Sequence, residues 1–69
     1  MTKQKKAIII TTVLYNMNHP ACEKDRVAWK HVKKLIRQPM DFLDATYLAA
    51  IKALDTKKYP PEFFGLGVN

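Results

Sequence analysis

The stretch Ala7-Ile8-Ile9-Ile10-Thr11-Thr12-Val13-Leu14-Tyr15 decides the fold. Most of its residues are β-branched or aromatic, which suits a pleated strand. At about 100° per residue the same stretch, continued to Met17, sets Ala7, Ile10, Val13, Leu14 and Met17 on one face of a helix. A strand must hand its N–H and C=O groups to a neighbour, and nothing later in the chain offers one. A helix satisfies those groups internally. The reading is therefore a helix over about residues 4–17.

The next segment, residues 16–21, is a break. Asn18 tolerates a left-handed position, and Pro20 ends one helix and suits the first turn of the next. From there the spacing predicts a second helix over 21–37 with two faces. Arg26, Lys30, Lys33, Lys34 and Arg37 fall within roughly a 100° arc. Ala28, Trp29, Val32, Leu35 and Ile36 occupy the adjacent arc and are expected to face the core. Glu23 and Asp25 near its start and Arg37 at its end agree with the helix dipole, and Pro39 stops it.

A third helix is expected over 41–57, with Asp41 as N-cap and Leu43, Tyr47, Ala50, Ile51 and Leu54 as its apolar stripe. Pro60-Pro61 forbids its continuation. The end, Glu62-Phe63-Phe64-Gly65-Leu66-Gly67-Val68-Asn69, is a short apolar tail that either folds back onto the bundle or docks on a partner. The expected architecture is thus a compact three-helix, all-α domain spanning 1–69. The alternative takes residues 7–15 as a strand. The resulting order, strand–helix–helix over about residues 7–56 behind a basic start, resembles in layout the ribbon-helix-helix DNA-binding dimers. That resemblance implies pairing of residues 7–15 with a second copy and insertion of the ribbon into a DNA groove.

Sixty-nine residues build a small core, worth about 3–5 kcal/mol in total. Net charge is +6, from 12 Lys and Arg against 6 Asp and Glu, and it is segregated. Residues 23–37 hold six basic and two acidic side chains, whereas residues 40–55 hold three Asp against one Lys. Such a stripe points to an anionic partner, a nucleic acid or an acidic protein surface. Lys3, Lys5 and Lys6 are candidates for an additional basic arm.

No catalytic constellation is legible. Asp41 and Asp44 read as helix-capping residues rather than a carboxylate pair. Cys22, His19 and His31 are too few for a metal site and lack an orienting third group for nucleophilic catalysis. Both glycines follow residue 64, so there is no phosphate-binding loop. No enzyme activity, cofactor, metal or small-molecule substrate is expected. The single cysteine fits a reducing, cytoplasmic setting. The apolar run at 7–15 is too short to span a bilayer, so no membrane association is expected.

The function these residues suggest is regulatory binding to nucleic acid or a nucleoprotein machine through Arg26, Lys30, Lys33, Lys34 and Arg37. The rival is a small stoichiometric inhibitor or adaptor that grips a larger protein through Trp29, Phe63 and Phe64. Homodimerisation is compatible with either.

Overall fold

A computed structural model of the chain describes residues 2–19, 22, 28–60 and 63. Three helices follow one another: α1 Lys3–Asn16, α2 Trp29–Ile36 and α3 Met40–Thr56. The three-helix reading holds, and the described residues contain no strand.

Residues 7–15 are helical, which replaces the ribbon alternative. Their threonines show how. Thr11 is fully buried, and its hydroxyl donates to the Ala7 carbonyl at 2.8 Å. Thr12 does the same to Ile8 at 2.8 Å. Each hydroxyl is satisfied one turn back, so burial leaves no orphaned donor. Thr2 caps the start by accepting from the Lys5 N–H at 3.2 Å. At the other end Asn18 takes φ 57°, its N–H donates to Tyr15, and the His19 N–H reaches back to Leu14, both at 2.9 Å. This is a Schellman closure with asparagine in the left-handed position. It also turns His19 inward, where the side chain is buried.

α2 is shorter than its amphipathic pattern. The expected helix over 21–37 does not hold at Ala28, whose ψ of 90° is extended. Ala28 acts instead as the N-cap, its carbonyl accepting from His31 at 2.8 Å and Val32 at 3.0 Å. Periodicity reports which side chains share a face and is blind to a backbone break between them. Arg26 and the rest of 23–27 lie outside the described residues.

α3 starts one residue early, with Pro39 as N-cap and Asp41 inside the first turn, so Asp41 is not the cap. It closes at Lys57, whose φ of 58° is left-handed and whose N–H donates to Ala53 at 2.8 Å. Its buried face is Leu43, Thr46, Ala49, Ala50 and Ala53. Of the expected stripe, Leu43 and Ala50 are buried and Tyr47 packs against the core partly buried, whereas Ile51 and Leu54 are each 43% exposed. The reason is packing distance. α1 lies against both other helices and presents Ile10, Val13 and Leu14. Alanines on α3 let that bulky surface approach closely, where a second bulky face would hold the helices apart.

The core joins these α1 and α3 residues to Val32 and Leu35 of α2 and to Cys22, Ala28 and Phe63 of the connecting segments.

Candidate functional site

α2 presents opposite faces to opposite environments. Its inner face buries His31, Val32 and Leu35. Its outer face carries Lys30, Lys33 and Lys34, all exposed, and Arg37 continues it at the C-cap. The helix contains no acidic residue, and none of the four cations pairs with a carboxylate among the described residues. Lys33 and Lys34 occupy the last turn, where the helix dipole favours positive charge. Of the five cations expected to form this surface, the structure brings these four together, and Arg26 lies outside the described residues.

Trp29 is the principal correction. Expected to face the core, it is 55% exposed. The buried arc is rotated toward His31, so the indole stands at the edge of the cationic face, one turn before Lys33. The spacing leaves the choice open, because Trp29 has Val32 three residues on and Lys33 four, and His31 has Lys34 and Leu35 at the same intervals. Phe63 moves the opposite way. It is completely buried and belongs to the core, so it is no surface anchor; Phe64 lies outside the described residues.

The amino-terminal lysines are not a loose arm. They lie in the first turns of α1. Lys3 Nζ donates to the Gln38 carbonyl at 3.1 Å, tying α1 to the α2–α3 junction. Lys6 forms an ion pair with Asp44 and lies 6.0 Å from the centre of the Tyr47 ring.

Between the end of α1 and the segment after α3 lies an aromatic cluster that the sequence did not disclose, with His19 and Phe63 buried and Tyr59 exposed. The His19 ring meets Tyr59 edge-on at 4.9 Å and Phe63 at 6.1 Å. The Tyr59 hydroxyl donates to the Met17 carbonyl, holding the segment after α3 against the end of α1. Burial lowers both imidazoles below the ordinary value of 6.5, and for His31 the charges of Lys34 and His19 lower it further. His31 Nε2 is buried with no hydrogen-bond partner among the described residues. α2 thus holds neutral histidine inward and permanent cations outward.

No group of three or more His, Cys, Asp or Glu among the described residues is placed to hold a metal ion. No described helix is long and apolar enough to cross a membrane. Comparisons with protein-family models, with curated proteins and with solved structures find no match.

Proposed function

We propose that this chain is a non-enzymatic, cytoplasmic regulatory protein that binds nucleic acid through the outer face of α2. One observation carries the reading: four exposed cations on and just after a short acid-free helix, unpaired among the described residues, with the only tryptophan of the chain exposed at their margin. Cations neutralise phosphates and release counterions, which supplies affinity independent of sequence. An indole beside them gives a base a face to stack on. Lysines predominate and Arg37 is the one described guanidinium, so the face attracts backbone more than it reads base edges. An acidic protein surface is the rival anion. Trp29 suits it as an anchor, whereas the buried Phe63 offers it nothing.

Fluorescence anisotropy with labelled single-stranded and duplex oligonucleotides tests the proposal. Neutralising about four phosphates gives a log–log salt slope of roughly −3.6 on duplex and −2.8 on single strands. Lys30→Gln, Lys33→Gln and Lys34→Gln together should flatten the duplex slope to about −0.9. Trp29→Ala should weaken single-strand binding more than duplex binding. Absence of binding at low salt, or unchanged binding by the triple variant, refutes the nucleic-acid reading. Salt-sensitive capture of an acidic protein with no oligonucleotide binding would install the rival.

A further inference from the structure

The outer side of α3 carries a seam that the monomer leaves uncovered. Asp41, Ala45, Leu48 and Lys52 follow at intervals of four, three and four residues and fall within about 60° of one another on the helix. All four are exposed, and Leu48, at 63%, is the most exposed large apolar side chain of the described residues. Leu48 also borders a groove of about 800 Å³ whose lining includes Ala45, Ala49 and Tyr59. A protruding leucine and an alanine-lined groove therefore lie on one surface.

We propose that this seam binds a second copy of the chain, with the two α3 helices antiparallel about a two-fold axis. A single antiparallel register satisfies every position. It sets Ala45 opposite the partner's Leu48, so that each leucine enters the alanine-lined groove of the other helix. The same register sets Asp41 opposite the partner's Lys52. The contact repeats with roles reversed across the axis, giving two leucine–alanine layers in the middle and an acid–base layer at each end. Large-against-small layers let helices pack closely, and a self-complementary patch is what a closed two-fold interface requires. The charge order along α3 selects the direction. Parallel helices would set Asp41 against Asp41 and Lys52 against Lys52, whereas the antiparallel pair cancels both. This surface is separate from the cationic face of α2, and the inference does not rest on the proposed function.

Sedimentation equilibrium from micromolar to millimolar concentration tests it. The expected result is a concentration-dependent rise from 8.0 kDa toward twice that mass. Leu48→Asp should weaken association at least about 100-fold while leaving the circular dichroism of the monomer unchanged, because the side chain is exposed. Asp41→Lys and Lys52→Asp should each weaken association, and the double variant should recover it. A wild-type chain that stays at 8.0 kDa throughout overturns the proposal and leaves the face to a different protein. So does a dimer that survives Leu48→Asp. Single charge reversals without effect, or a double variant that fails to recover, overturn the antiparallel register.

Discussion

Replacing Phe63 and Trp29 by alanine, one at a time, separates the core from the surface with the two aromatic residues whose roles the structure exchanges. Phe63 is 0% exposed and packs against the His19 ring. Removing a buried phenylalanine costs about 3–5 kcal/mol, from lost transfer free energy plus the cavity left behind. A core of this size supplies about the same amount in total. The Phe63→Ala chain should therefore sit near zero net stability, about half unfolded at 25 °C without denaturant. Trp29 is 55% exposed. Full burial of a large apolar side chain contributes about 1.5–3 kcal/mol, and less than half of its surface is covered, so Trp29→Ala should cost about 1 kcal/mol or less. Urea titration followed by far-ultraviolet circular dichroism measures both. With a slope near 1 kcal/mol per molar for so small a chain, Trp29→Ala should lower the midpoint by about 1 M or less. Phe63→Ala should show no folded baseline. Indole emission from the wild type should be that of a solvated ring. The reverse order, a collapsed Trp29 variant beside a stable Phe63 variant, would refute the placement of both residues.

Acid should destabilise the fold before its carboxylates titrate. The histidines' folded pKa values lie below 6.5, so the unfolded chain binds protons first as pH falls. Stability is then full above about pH 6.5 and declines as pH drops through that value toward the lowered folded pKa values. Melting temperatures from pH 7.5 to 5.5 check this, and His31→Leu should flatten the curve; a profile unchanged by the substitution counts against buried neutral His31. Lys57 holds φ 58° at the close of α3. Lys57→Gly relieves left-handed strain at some expense in unfolded-state entropy, for a net gain of about 0.5–1 kcal/mol; a lower melting temperature would contradict that geometry.

Much of the fold was legible because it follows from backbone arithmetic. The strand-like residues 7–15 had no pairing partner in the chain, so hydrogen-bond accounting favoured α1 against local propensity. Proline and asparagine punctuation marked the joints, and Asn18 does adopt the left-handed conformation that the turn needs. The grouping of Lys30, Lys33, Lys34 and Arg37 on one face was likewise a matter of spacing, and all four emerge exposed.

Tertiary structure decided what lies inward. Beyond the buried Leu43, α3 carries a face of small residues and a face with Leu48, Ile51 and Leu54, and either could be buried by its periodicity alone. The bulk that α1 presents settled the choice in favour of Ala49, Ala50 and Ala53, leaving Leu48 and Ile51 outside. α2 sits rotated by a fraction of its circumference from the expected orientation, with His31 in and Trp29 out. The break at Ala28 and the burial of Phe63 beneath the His19 ring depend on contacts between segments distant in the chain. Sequence alone determined which residues share a helix face, because that depends only on helical repeat. Which face is buried depends on how closely neighbouring elements can approach, and only the packed chain sets that distance.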